Sequence, residues 1–336
     1  MIFLSIIVPC YRNKDILKMG IPSLERQSIK DFELILIDDK SPNDLYESME
    51  QYVNSDSCSI KDKIRLYKNE INMGPGATRN RGIELARGKY ILFLDDDDYL
   101  KDDAVEILKE NDSDKDVVLY DFERILGKKI INYTCLPKSY GEGMSEKDLV
   151  SKVIPTKDAL ELANFSMCSK MYRREFLLEK GIRMPDLLLG EDYVFTKLAL
   201  ANCESVSYVP RPIYVIQDSR DSLTKINPLG EFADEQYDYI EANWPDKQYD
   251  EVLAGIFIYL KCFAKVWNLV EHGKDNQYIC DYIESLTKYN INWVENDYTY
   301  KMPRYQRLFV RAVEKKKIYI LRLIAEMRRI AKKVYR

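Results

Sequence analysis

The sequence predicts an α/β fold with a Rossmann-like, mostly parallel sheet and a helical C-terminal extension. Three observations carry that expectation. Over the first 120 residues, short apolar runs alternate with stretches of helical period, the mark of βαβ units. Carboxylates and glycines gather directly after the strand-like runs, where parallel sheets bind ligands. From about Pro228 onward the pattern is helical throughout.

The run at residues 3–8 opens the chain and is cut short by Pro9 and Arg12. It lacks a basic leading segment, so it reads as a first strand rather than a signal peptide. A helical period over 14–27 leads to a nearly all-apolar strand over 32–37, as a strand covered on both faces requires. The cycle continues with a helix over 45–53, a strand over 64–67, a helix over 77–86 and a strand over 90–94. A helix over 102–109 and a strand over 117–120 close it. Residues 124–140 are polar and read as irregular or hairpin-like. A helix over 191–202 precedes short strands at 206–209 and 213–216. Trp244-Pro245 and Met302-Pro303-Arg304 break the helical remainder. The expected division is an α/β domain carrying the chemistry over 1–225, a helical extension over 226–303, and a basic amphipathic C-terminal helix over 304–336.

Composition narrows that chemistry. Of 336 residues, 46% are hydrophobic and 32% charged, which supports a packed core and argues against disorder. No run reaches the roughly 20 apolar residues that span a bilayer. His272 is the single histidine, sits at an apparent helix end, and leaves little room for His-driven hydrolysis or multi-histidine zinc sites. Chemistry is expected to run on carboxylates. The seven cysteines are scattered without a Cys-x-x-Cys pair, which points to a reducing compartment and a cytoplasmic protein. The sequons at Asn111, Asn132 and Asn164 then read as chance. Net charge is −4, but residues 304–336 carry +10 and the rest −14. An acidic body is a poor nucleic-acid binder, so none is expected as a partner.

Asp95, Asp96, Asp97 and Asp98 follow the fourth strand. Adjacent carboxylates repel one another, and a divalent cation relieves them. Mg²⁺ and Mn²⁺ use one or two carboxylates together with substrate phosphates. A solvated turn capping the next helix is the competing reading, and it suits Asp98. Asp38 and Asp39 are placed to accept from a ribose hydroxyl or a base imide N–H, or to form an Asx turn. The segment Asn72-Met73-Gly74-Pro75-Gly76-Ala77-Thr78-Arg79-Asn80-Arg81-Gly82 joins glycines, a helix start and two arginines. That combination suits phosphates, and equally a plain turn and helix. Asp192 opens a helical pattern, where the dipole keeps a carboxylate ionised; alone it reads as an ordinary N-terminal acid.

The order of these pieces resembles the family 2 glycosyltransferases. The resemblance rests on Ser5-Ile6-Ile7-Val8-Pro9-x-Tyr11, Asp38-Asp39-x-Ser41, Asn72-x-Gly74, Arg79-Asn80-x-Gly82 and Gly88-Lys89-Tyr90 leading into the aspartate run. Lys170-Met171-Tyr172-Arg173-Arg174 and Gly190-Glu191-Asp192 complete it, and together they cover roughly residues 1–220. The resemblance implies a glycosyltransferase A fold, a nucleotide-sugar donor (commonly UDP-linked) and inversion at the anomeric carbon. It places Pro9, Tyr11 and Asp39 at the uridine, with Asp39 reading uracil. Arg79, Asp95 and Asp96 fall near the nucleotide. Asp97 is the implied ligand of Mn²⁺ or Mg²⁺, with Asp95 near ribose or metal. Asp192 is the implied catalytic base and Glu191 its neighbour toward the acceptor. The implied acceptor is a growing bacterial surface glycan, a lipid-linked one among the options.

Residues 315–336 read as an amphipathic helix, with Ile320, Leu323, Ile324, Met327, Ala331 and Val334 on one face. Lys315, Arg322, Arg329, Lys333 and Arg336 lie on the other, a pattern that suits an anionic membrane surface, a packed terminal helix or a dimerisation helix. Ser219, Arg220 and Ser222 are placed to close over a diphosphate. Two other functions fit parts of the pattern: a sugar nucleotidyltransferase and a non-catalytic nucleotide-binding module. The first strand, however, ends in Pro9-Cys10-Tyr11-Arg12-Asn13, where nucleotidyltransferases carry their Gly-rich loop.

Overall fold

The computed structural model describes residues 2–152, 154–163, 166–217, 230–245, 249–293 and 295–334. Ser219, Arg220 and Ser222 lie outside them. The chain forms two compact units, Met1–Ser222 and Leu223–Arg336.

The first unit is built on one nine-stranded sheet. Its strands are β1 (Leu4–Cys10), β2 (Phe32–Asp38), β3 (Ile64–Lys68), β4 (Tyr90–Phe93), β5 (Tyr99–Leu100), β6 (Val117–Leu126), β7 (Lys129–Tyr133), β8 (Lys170–Arg173) and β9 (Val206–Gln217). Their order is β3-β2-β1-β4-β8-β6-β9-β5, with β7 paired to β6. The helices are α1 (Ile21–Glu25), α2 (Leu45–Val53), α3 (Gly74–Leu85), α4 (Ala104–Glu110), α5 (Glu146–Ser151), α6 (Thr156–Leu162), α7 (Arg174–Glu179) and α8 (Glu191–Asn202). The helix expected over 14–27 is a π-helical turn, Ile16–Gly20, running into α1.

Strands β3, β2, β1 and β4 are parallel, as the alternating pattern requires. Every residue of β2 is buried, which explains its apolar sequence. Of its two acidic residues, Glu33 accepts from Arg65 at 2.8 Å, Ser5 Oγ at 2.7 Å and the Arg87 N–H at 2.6 Å. A buried carboxylate is tolerated when its lone pairs are satisfied in this way. Past β4 the sheet turns mixed, where a mostly parallel one was expected. β8 runs antiparallel to β4 and β6, while β6 is parallel to β9. Two residues, Gly127 with φ 61° and Lys128, return β6 as β7, and so short a connection permits only an antiparallel pair. β9 is a single strand where two were expected. Its register slips between its pairs with Tyr120 and Phe122, opposite Pro210-Arg211-Pro212, because proline donates no ladder hydrogen bond.

Strand order reverses at β1, which lies between β2 and β4. The segments leaving β1, β2 and β4 therefore meet at one crevice, and those after β2 and β4 carry Asp38, Asp39 and Asp95 to Asp98. This is where a doubly wound sheet takes its ligand.

The second unit is helical: α9 (Ala233–Ala242), α10 (Asp250–Glu271, with a π-helical stretch at Ile258–Lys265), α11 (Asn276–Ser285), α12 (Asp297–Lys301), α13 (Arg304–Glu314) and α14 (Ile318–Val334). Contrary to expectation, α10 is long and apolar enough to cross a membrane, but 72% of its apolar window is buried within the protein. Phe257, Phe263 and Trp267 pack there against Tyr237, Tyr289, Trp293 and Phe309, so the helix serves as a core. His272 ends it, with Nδ1 2.9 Å from the Asn268 carbonyl.

The expected single helix over 304–336 is two helices. Lys316 takes φ 47°, and the N–H groups of Lys316 and Lys317 donate to the Val313 and Ala312 carbonyls. This is a Schellman motif in which lysine occupies the left-handed position that glycine usually fills, so composition does not betray it. The buried face of α14 also differs from the expected one. Ile318, Leu321 and Ala325 are buried, whereas Tyr319, Leu323, Met327 and Ile330 are exposed. The side chains of Lys333, Val334 and Arg336 lie outside the described residues.

Candidate active site

Four aspartates after β4 divide into two kinds. Asp96 Oδ2 accepts the Tyr11 N–H at 2.9 Å, which ties the turn to the end of β1. Asp98 accepts from Tyr214 Oη and from the Gln217 N–H, both at 2.8 Å, which ties it to β9. Tyr214 Oη also receives the Asp95 N–H at 3.1 Å. Burial pushes the Asp96 carboxyl up to about 8, with Asp97 and Asp95 adding to the effect, and raises Asp98 for the same reasons. Asp96, expected among the nucleotide contacts, is half-buried and bound to the backbone of Tyr11. Asp95 and Asp97 are both half-buried at the crevice.

Arg79 was expected near the nucleotide. Its guanidinium is enclosed: Nη2 donates to Asp95 Oδ1 at 2.7 Å and Nη1 to Glu191 Oε1 at 2.9 Å. Only 7% of the side chain is accessible. Burial opposes its charge, but Asp95 and Glu191 more than compensate and raise its pKa. On the far side of Asp95, the Cys168 thiol approaches Oδ2 at 3.7 Å. Burial and the adjacent Asp95 hold that thiol protonated.

Asp39 is buried and accepts from Asn69 Nδ2 at 2.7 Å and from the N–H groups of Met73 and Gly74 at 2.8 Å each. Those N–H groups belong to the first turn of α3, so the carboxylate anchors that turn. Oδ2 receives only Gly74 among these bonds, so one face of it can accept a further donor. Tyr11 is 38% exposed, with Arg12 stacked 4.7 Å from its ring, and Pro9 lies in β1 opposite Ile37.

Gly190, with φ 85°, swings the chain into α8 and presents Glu191 and Asp192 in its first turn. Only glycine enters this left-handed position without strain. Asp192 Oδ1 accepts its neighbour's Tyr193 N–H at 2.7 Å. Burial, then the Glu191 charge, pushes Asp192 up to about 7, which is the range of a general base working near neutrality.

The donor set suits a hard divalent ion. Asp95 and Asp97, both half-buried, offer hard carboxylate oxygens of the kind that Mg²⁺ and Mn²⁺ take. Among the described residues no three His, Cys, Asp or Glu side chains converge on a common point. One or two carboxylates supplemented by phosphate oxygens make the usual Mg²⁺ arrangement.

The sequence profile described as "Glycosyl transferase family 2" matches residues 5–179, which take in β1 to β8. The chain belongs to glycosyl transferase family 2. It is 32% identical over 215 residues to a poly(ribitol-phosphate) beta-glucosyltransferase of Bacillus spizizenii, covering 61% of this chain and 30% of that protein. The chain spans 30% to 63% of the length of this and the next curated relatives. Residues 1–349 of Staphylococcus aureus TarS, solved in complex with UDP-GlcNAc, superimpose with a TM-score of 0.70 at 20% identity, covering 98% of this chain and 92% of that one. A mannosyltransferase from Pyrobaculum calidifontis, PcManGT, solved with GDP-Man and Mn²⁺, gives a TM-score of 0.54 at 13% identity over 98% and 87%. The fold is therefore glycosyltransferase A.

In this family 2 chain the fold brings Asp39, Asp95, Asp97, Glu191 and Asp192 to the carboxyl ends of the central strands or the helix that faces them. Two participants escaped sequence reasoning: Cys168 and Tyr214 support Asp95 and its turn. Asn80, part of the Arg79-Asn80-x-Gly82 landmark but given no role there, bonds the backbone of Met184. Cys168 stands two residues before the Lys170 landmark, but nothing about a lone cysteine or a strand tyrosine marks such a contact.

Proposed function

We propose that this protein is a metal-dependent, inverting glycosyltransferase. It moves a sugar from a UDP-linked donor to a hydroxyl of a bacterial surface glycan. One observation carries the reading: Arg79 joins Asp95, on the turn after β4, to Glu191, the neighbour of Asp192. A donor-side carboxylate and a candidate base are thereby held on two walls of one crevice. Family membership and the UDP-GlcNAc held by TarS support the donor class. Asp39, Tyr11 and Pro9 would hold the uridine. Asp97, with Asp95 beside it, would hold Mn²⁺ or Mg²⁺, which when bound neutralises charge on the departing diphosphate. Asp192 takes the proton of the attacking hydroxyl, from the face opposite the leaving group.

Calorimetry with UDP tests the donor half. Affinity should be higher with Mn²⁺ than with chelator, and Asp97→Asn should erase the difference, because a neutral amide replaces the charged oxygen that faces the ion. Equal metal dependence in that variant removes Asp97 from the site.

The exposed stripe Tyr319, Leu323, Met327 and Ile330 on α14, with Arg322 and Arg329 nearby, supports peripheral attachment to an anionic membrane at its inner face, where a lipid-linked acceptor would lie. Deleting α14 would unpack Leu321, so surface substitutions make the cleaner test. Leu323→Glu with Met327→Glu should abolish sedimentation with anionic vesicles and leave the thermal midpoint nearly unchanged, since exposed positions cost little. Undiminished sedimentation rules this face out.

A further inference from the structure

The geometry points to α3 as a brace for the catalytic turn, with Asn80 and Gly76 as its positioning residues. Asn80 bonds the Met184 backbone in both directions: Nδ2 donates to the carbonyl and Oδ1 accepts the N–H, each at 2.9 Å. A side-chain amide used this way substitutes for a neighbouring strand and fixes both position and direction of the chain it holds. One turn earlier, Gly76 lies so close to the same segment that a Cβ there would stand 2.8 Å from the Pro185 carbonyl oxygen and 3.3 Å from Glu191 Cγ. Between them Arg79 reaches Glu191. Thus three positions of one helix, 76, 79 and 80, grip the segment from Met184 to Glu191 at both its ends.

The first two turns of α3 are themselves held firmly. Asp39 accepts the Met73 and Gly74 N–H groups, and Asn69 Nδ2 bonds both Asp39 Oδ1 and Thr78 Oγ1. One rigid element therefore spans from the nucleotide-side carboxylate to the turn that carries Asp192. A general base is effective only when held to within fractions of an ångström, and a displacement of about 1 Å costs roughly 100-fold in rate. The brace itself rests on geometry alone; that it serves Asp192 rests on the transferase reading.

The test pairs hydrogen exchange with turnover in the full chain carrying Asn80→Ala or Gly76→Ala. In Asn80→Ala the Met184 amide loses its acceptor, so its exchange should quicken at least about tenfold, as should amides of residues 186–193 that depend on the held segment. Gly76→Ala improves helix propensity, so α3 itself is not weakened, while its methyl displaces the Pro185 carbonyl. Both variants should release UDP from UDP-glucose or UDP-N-acetylglucosamine, with Mn²⁺ present, about 10–100-fold more slowly, with UDP affinity within about twofold of the parent. Unchanged exchange at Met184 overturns the brace whatever the chemistry. Quickened exchange with undiminished turnover overturns its positioning role, as does a parallel fall of turnover and UDP affinity. A parent chain that binds no UDP and releases none overturns the transferase reading and the service to Asp192, while the exchange data still decide the brace.

Discussion

Asp192→Asn is expected to lower sugar transfer by about 10²–10⁴-fold while leaving UDP affinity near that of the parent. The amide keeps the size of the carboxylate and can still accept the Tyr193 N–H, but it has no basic lone pair to take a hydroxyl proton. The groups facing Asp192 are Glu191 on its own helix, Arg79 from α3 and Asp95 from the turn after β4. Burial and Glu191 raise its pKa to about 7, against the pull of Arg79. The sign follows: the base works deprotonated, so kcat/KM should fall tenfold per pH unit below about 7 and level off above it. Glu191→Gln removes a negative neighbour and should move this limb to lower pH. Rapid transfer by Asp192→Asn would assign the proton to another carboxylate. A large loss of UDP affinity would move Asp192 to the nucleotide.

Arg79→Ala should be among the most destabilising single changes in the first unit. Arg79 and Glu191 are 7% and 10% accessible, so removing the guanidinium leaves a buried carboxylate unpaired. Breaking a buried pair from one side costs about 3–5 kcal/mol. The Asp95 arm adds less, because Asp95 is 36% accessible and water screens it. At about 2–4 °C per kcal/mol for a unit of this size, the thermal midpoint should drop by roughly 6–20 °C. A change below about 2 °C would mean that water enters and solvates Glu191 in place of the guanidinium. This prediction does not depend on any ligand, so it tests the arrangement separately from the function.

Much of the first unit was legible because its signals are local. β2 announces itself by its nearly all-apolar run over 32–37, α2 and α8 begin and end where their helical period does, and Gly190 marks the turn before Glu191. Carboxylates after β2 and β4 could be suspected because strand direction alone sends the chain into the crevice there. The tail shows the limit of such reading. Its amphipathic period was real, yet Lys316 broke the helix, and packing turned Leu321 inward while Leu323 and Met327 stayed in solvent.

Sequence by itself determined the type and order of most elements, the family pattern and which carboxylates lie near the crevice, since each depends on neighbours within a few residues. Tertiary structure alone decided what those side chains touch. Arg79 and Glu191 are 112 residues apart, as are Asn80 and Met184 by 104, and Tyr214 and Asp98 by 116. No periodicity spans such separations. Two of the four aspartates became ties to β1 and β9, and an arginine suited to phosphate became a buried link between two carboxylates. The physical reason is that a polar group removed from water must find its partner wherever the fold brings one, and that choice belongs to packing rather than to local sequence.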